Sequence, residues 1–156
     1  MTAPSSDGAP APAVSVVLPT YNRAHLLGRA MRTVLDQSYR DLELIVVDDG
    51  STDNTADVVA SFQDARVRYL PQSANRGAAA ARNAGVLAAH GRWVAFHDSD
   101  DEWPAGKLEL QMTAMAAHPS AAFSYGDLER VDRQGKRTIA RSPQLHKGSL
   151  VSPSGL

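Results

Sequence analysis

From Ala13 onward the chain alternates short apolar runs with longer segments whose apolar residues recur at helical spacing, the pattern of a parallel sheet covered on both faces. Val14 to Leu18 is a largely β-branched run closed by Pro19, which cannot donate a ladder hydrogen bond and so predicts the strand end. Asn22 is the predicted cap of a first helix that puts Leu27, Met31, Val34 and Leu35 on one face. Leu42 to Val47 reads as a second strand, and Asp48 to Thr55 as turn and capping residues before a helix carrying Val58, Val59 and Phe62. A short third strand, Val67 to Leu70, ends at Pro71. An alanine-rich helix from about Arg76 to Ala89 follows, its small side chains suited to close approach to the sheet. Trp93 to His97 is the fourth predicted strand, and Pro104 opens another helix. Ala121 to Val131 and Lys136 to Ala140 predict a β-hairpin turning at Gln134-Gly135, and after Ser142 no periodic element can be named.

The strand, helix, strand order with right-handed crossovers predicts an α/β fold, an open, doubly wound, mostly parallel sheet with helices on both faces. Ligands in such sheets sit beyond the carboxyl ends of the strands, where the strand order reverses. The segments to examine are therefore Pro19 to Arg23, Asp48 to Asp53, Gln72 to Gly77 and Asp98 to Glu102.

Composition narrows the function classes. The 156 residues carry 16 Lys plus Arg against 17 Asp plus Glu, a net charge of −1, so bulk attraction to nucleic acid or anionic membrane is not expected. There is no cysteine, which excludes disulfides, thiolate metal sites and cysteine nucleophiles. No apolar stretch approaches the roughly 20 residues that span a bilayer. Met1 to Pro12, built of Ala, Pro, Ser and Gly with one Asp, is expected to be a disordered tail, and it lacks the pattern of a secretory signal. A cytoplasmic location is the corresponding expectation. The expected division is a tail over 1–12, one domain over 13–142 and an irregular tail over 143–156.

The first strand exit, Pro-Thr-Tyr-Asn-Arg, is informative for what it omits. A dinucleotide site would need a GxGxxG turn here, and no Walker-type GxxxxGK[ST] occurs elsewhere in the chain. The fourth exit offers another way to meet a phosphate, because Asp98-Ser99-Asp100-Asp101-Glu102 places four carboxylates within five residues. Their mutual repulsion calls for a cation, and hard oxygen donors suit Mg²⁺ or Mn²⁺, whose shell water and substrate phosphate complete. For Asp101 and Glu102 the stronger reading is capping of the helix at Pro104; for Asp98 and Asp100 it is a metal or ligand role. At the second exit Ser51 and Asp53 read as turn and cap residues, which leaves Asp49 free to accept hydrogen bonds from a base or a ribose. Tyr21 could stack on a base or pack against its own loop.

Together these segments resemble the family 2 glycosyltransferases. The matching stretches are Val14-Ser-Val-Val-Leu-Pro-Thr-Tyr-Asn-Arg23, Glu43-Leu-Ile-Val-Val-Asp-Asp-Gly-Ser-Thr-Asp-Asn-Thr55, Asn75-Arg-Gly-Ala-Ala-Ala-Ala-Arg-Asn-Ala-Gly85 and Phe96-His-Asp-Ser-Asp-Asp-Glu-Trp103, four motifs in order over roughly residues 13 to 130. The resemblance implies a Rossmann-like GT-A fold, incomplete at its C-terminus, that binds a nucleotide-diphosphate sugar, with a UDP-sugar the first expectation. It implies that Pro19, Thr20 and Tyr21 line the nucleobase pocket and that Asp49 binds the base. Asp98 would contact the ribose or the metal, beside Ser99, and Asp100 would ligate the divalent cation of a DXD motif. Gly77 and Arg82 would lie near the donor, or serve the fold. His97 stands where an apolar residue is expected, and a buried strand histidine is a stronger reading than a ligand.

The implied chemistry is inverting transfer of a sugar to the hydroxyl of a glycan, lipid or protein acceptor, in polysaccharide or glycoconjugate biosynthesis, with the cation stabilising the departing diphosphate. The family's general base comes from an acidic motif expected beyond Leu156; Asp127, Glu129 and Asp132 lie too early to match it and read as solvent-facing charges. No catalytic residue is therefore assigned within the chain. Two other readings remain: a nucleotidyltransferase, which wants a Gly-rich loop after the first strand, and a non-catalytic donor-binding or interaction module.

Overall fold

The structure, a computed structural model, describes residues 10–132 and 134–140. The expected N-terminal tail falls outside this range up to residue 9, and the expected C-terminal tail falls outside it altogether. The chain divides into two compact units, Met1–Leu108 and Glu109–Leu156, with the division inside the span expected as one domain.

The first unit holds strands β1 (Val14–Thr20), β2 (Leu42–Asp48), β3 (Val67–Pro71) and β4 (Trp93–Phe96), with helices α1 (Ala24–Leu35), α2 (Thr55–Ala60) and α3 (Ala78–Ala88) between them. The four strands form one parallel sheet in the order β3-β2-β1-β4. The chain steps outward from β1 to β3 and then returns to the other side of β1, so the strand order reverses between β1 and β4. Residues 20–23 and 97–102 therefore meet at the switch point.

β1 and β2 are buried along their whole length, as two-faced coverage requires. On one face Val17, Ile45, Val47 and Ala81 form a cluster under α3. Gly85 brings α3 down onto it: a Cβ there would lie 2.3 Å from Val17 Cγ1, so the expected close approach of the alanine-rich helix is realised. On α1 the predicted face, Leu27, Met31, Val34 and Leu35, is buried, with Ala24 and Ala30 beside it.

Several predicted boundaries shift. β1 runs through Pro19, which pairs with Val47. Val17 accepts a hydrogen bond from the N–H of His97 on the β4 side, and by alternation Pro19 faces that same side. The β1–β4 ladder ends at Val17 and Phe96, so the missing N–H lies past the last rung. β4 stops one residue before His97. Asn22 is not the cap of α1: Arg23 occupies that position, and the side-chain cap comes from Asp53, whose Oδ2 accepts the Ala24 N–H at 3.0 Å. Pro104 does not open its helix, because Pro104 to Gly106 form a turn before α4 (Lys107–Ala117).

In the second unit, β5 (Leu128–Val131) and β6 (Arg137–Ala140) form the predicted antiparallel hairpin. Its first strand begins seven residues later than Ala121, and Gly135 in the connection has φ of 80°. Asp132 and Glu129 face solvent: Asp132 Oδ1 accepts the Gln134 and Lys136 N–H groups, and Glu129 pairs with Arg137 at 3.0 Å.

Candidate functional site

The carboxyl edge of the sheet is assembled by hydrogen bonds between its loops. Asn22, in the left-handed region at φ 50°, donates its N–H to Ser51 Oγ and accepts the Thr52 N–H on its Oδ1. Asp53 spans two helices: Oδ2 caps α1 at Ala24, and Oδ1 accepts both the N–H and the hydroxyl of Thr55 at the start of α2. These bonds hold its carboxyl below the usual range, the Thr55 side chain contributing most. Asn54, not Ser51 or Asp53, is the N-cap of α2; the Asp53 side chain instead caps the preceding helix α1, and Ser51 ties loop to loop.

Asp48 accepts the Ser51 N–H at 2.8 Å and the Tyr69 hydroxyl at 2.5 Å. Burial, and then the Asp48 carboxylate, push the Tyr69 hydroxyl up to about 12. Asp49 is buried, and its carboxylate accepts the Gly77 N–H at 2.7 Å and the Arg76 N–H at 3.0 Å. It therefore anchors the entry to α3, where Gly77 adopts φ 89°, a conformation glycine reaches without a Cβ penalty. Thr20 is 3% exposed, and its Oγ1 is buried without a hydrogen-bond partner. Tyr21 beside it is exposed at 43%.

Across the switch point, Asp98 is ion-paired with Arg82 of α3, Asp100 with Arg23, and Glu102 with Arg29 at 3.1 Å. Ser99 is buried between the two aspartates in sequence. Burial first, then the charges of Asp100 and Asp98, raise the Asp101 carboxyl. Asp101 and Glu102 do not cap the following helix, which starts only at Lys107. His97 is 1% exposed, its ring 4.5 Å from Trp103 and its Nε2 3.4 Å from Thr33 Oγ1. Burial above all lowers its pKa to about 4. It is a buried core residue, as expected, although it lies one residue past the end of β4.

The arginine partners were not foreseen from the sequence. Arg23 and Asp100 are 77 residues apart, and only the strand order brings them together. Asp98 and Asp100 are each 48% exposed and offer hard oxygen donors. Among the described residues no group of three or more His, Asp or Glu is arranged to hold a metal ion by itself. Two carboxylates with water and phosphate completing the shell are nonetheless the set that Mg²⁺ or Mn²⁺ takes, so these residues fit such an ion bound together with a diphosphate.

A cavity of about 440 Å³ at the opposite, amino edge of the sheet is lined by Arg32, Arg40, Asp64 and Arg66 among others. Arg40 and Arg66 donate to the Leu35 carbonyl at the end of α1, and Arg66 also pairs with Asp64. Those cations serve the fold.

Residues 15–148 match the family described as Glycosyl transferase family 2. The chain belongs to that family. It is 42% identical over 119 residues to the UDP-Glc:alpha-D-GlcNAc-diphosphoundecaprenol beta-1,3-glucosyltransferase WfgD of Escherichia coli, an alignment covering 76% of this chain and 47% of that one. The chain thus spans about half the length of this relative. Among solved structures, S. aureus TarS 1-349 in complex with UDP matches with a TM-score of 0.65 and 28% identity, over 68% of this chain and 32% of that one. The mannosyltransferase PcManGT from Pyrobaculum calidifontis, in complex with GDP-Man and Mn2+, matches with a TM-score of 0.63 and 31% identity, over 81% and 39%. The family 2 fold is therefore the GT-A type, as the sequence motifs implied. Among the described residues no helix is long and apolar enough to cross a membrane.

Proposed function

We propose that the chain is the donor-binding part of a glycosyltransferase that holds a nucleotide-diphosphate sugar at the carboxyl edge of β1, β2 and β4 for transfer to an acceptor hydroxyl. The observation that carries this reading is the pairing of Asp98 and Asp100 with arginines at the switch point. A diphosphate and its cation find complementary groups of both signs there. Pro19, Thr20 and Tyr21 would border the base. Asp49 would reach the base while holding Gly77 in place, and Arg82 and Ser99 would flank the diphosphate. Bound at Asp98 and Asp100, Mg²⁺ or Mn²⁺ would neutralise charge on the departing nucleoside diphosphate.

Bound UDP in one structural neighbour and GDP-Man with Mn2+ in another support the donor class, and the UDP-Glc donor of WfgD favours a UDP-sugar. Inversion at the anomeric carbon with a carboxylate general base belongs to the same proposal, as does a cytoplasmic location. Titration calorimetry with UDP and with GDP, each with Mn²⁺ and with excess EDTA, tests the reading. Saturable, EDTA-sensitive binding of one nucleotide is expected, and no heat with either would overturn it.

A further inference from the structure

Asp98, Asp100 and Asp101 lie within four positions at one strand end, an arrangement that repels itself unless positive charge is nearby. That charge comes from two different elements. Arg82 reaches Asp98 from α3, and Arg23 reaches Asp100 from the turn before α1. The two arginines differ in how they are mounted. Arg82 sits within a helix, whereas Arg23 is the N-cap residue of α1, its carbonyl accepting the Leu26 and Leu27 N–H groups. Its neighbours are also tied down, because Asn22 is bonded to Ser51 and Thr52, and Ala24 to Asp53. The Arg23 backbone is thus pinned while its side chain, 46% exposed, spans the switch point to Asp100.

We propose that Arg23 is an exchangeable counter-ion of Asp100, one that weakens binding of a bare divalent cation and strengthens binding of the same cation together with a diphosphate. This rests on the assignment of Asp98 and Asp100 to the cation. A cation arriving alone must displace the guanidinium from Asp100 and then face its positive charge. The exposed pair is weak enough to exchange. When the cation arrives with a diphosphate, the displaced guanidinium gains phosphate oxygens as new partners, which its planar fork suits. Cation and nucleotide are thereby coupled: each makes the other's binding more favourable through one side chain.

The test measures Mn²⁺ binding to the whole chain by the electron paramagnetic resonance of free Mn²⁺, with and without UDP or GDP. The proteins are wild type, Arg23→Met, Arg23→Lys and Asp100→Asn, each checked for its far-ultraviolet circular dichroism. In Arg23→Met, Mn²⁺ alone is expected to bind about five- to tenfold more tightly, while the gain in Mn²⁺ affinity on adding nucleotide shrinks by a similar factor. Arg23→Lys keeps the charge and should retain most of the coupling. Mn²⁺ binding that requires Asp100 but is the same or weaker in Arg23→Met overturns this inference alone. Mn²⁺ binding unchanged in Asp100→Asn overturns the cation assignment and this inference with it.

Discussion

Gly85 of α3 lies against Val17 of β1 so closely that a methyl group on Gly85 would sit 2.3 Å from Val17 Cγ1 and 3.1 Å from Val47 Cγ2. Both valines are fully buried in central strands, so neither can move without displacing the core. Gly85→Ala removes the helix-propensity cost of glycine yet should destabilise the chain by about 1–3 kcal/mol through overpacking. Urea denaturation measures this, and a variant as stable as wild type would contradict the close approach.

Asp49 anchors the entry to α3 through the N–H groups of Arg76 and Gly77. Asp49→Ala should cost about 1.5–3 kcal/mol, the range for bonds to a charged group, and should speed hydrogen exchange at the Gly77 amide. Asp49→Asn keeps one acceptor and should cost less. Equal stability in wild type and Asp49→Ala would show that the carboxylate does not hold this turn.

The buried imidazole of His97 titrates at about 4 instead of 6.5. A folded-state pKa below the unfolded one means that the unfolded chain takes up the proton first as pH falls. The stabilisation of the neutral form is therefore complete above about 6.5 and lost between 6.5 and about 4, a loss of about 3 kcal/mol. His97→Phe should flatten stability against pH over that window. If the wild-type and variant curves run parallel from pH 7 to pH 4, the imidazole is not the group responsible.

Glu43, opposite Ser15 in the β1–β2 register, accepts bonds from Ser15 Oγ, Arg68 Nη1 and the His90 N–H at 2.6, 2.6 and 2.8 Å. Burial alone would raise its pKa, but these three bonds together outweigh it and hold the carboxyl below its ordinary 4.5. A depressed folded pKa makes this contribution present above 4.5 and lost as pH falls through the folded value. This loss follows that of His97 as pH falls. Glu43→Gln should cost about 1–3 kcal/mol at neutral pH and remove the steeper acid limb below 4.5. A Glu43→Gln variant with an unchanged acid limb would refute the assignment.

The strands were readable because β-branched runs buried on both faces leave a continuous apolar signal, as at Val14–Leu18 and Leu42–Val47. Element ends were read less well, because they depend on partners. Pro19 looked like a terminator until the absence of a β4 rung beside it made its missing N–H harmless. Asn22 looked like a cap, but Asp53, from another loop, takes that place. The sequence marks Asp49 as a ligand group, and the structure adds its bonds to the entry of α3.

The sequence by itself determined the parallel α/β architecture, the strand exits as the places to look, the acid cluster after β4 and the family. Those follow from periodicity, turn chemistry and short contiguous motifs, all local along the chain. Only the tertiary structure decided which charges those acids meet. Arg23, Arg29 and Arg82 come from the turn before α1, from α1 and from α3, and although Arg23 and Arg82 fall inside the family motifs, no local pattern marks any of the three as a partner of these acids. Their pairing exists because the strand order reverses between β1 and β4, a property of how the strands are arranged in space and not of any segment's own preference.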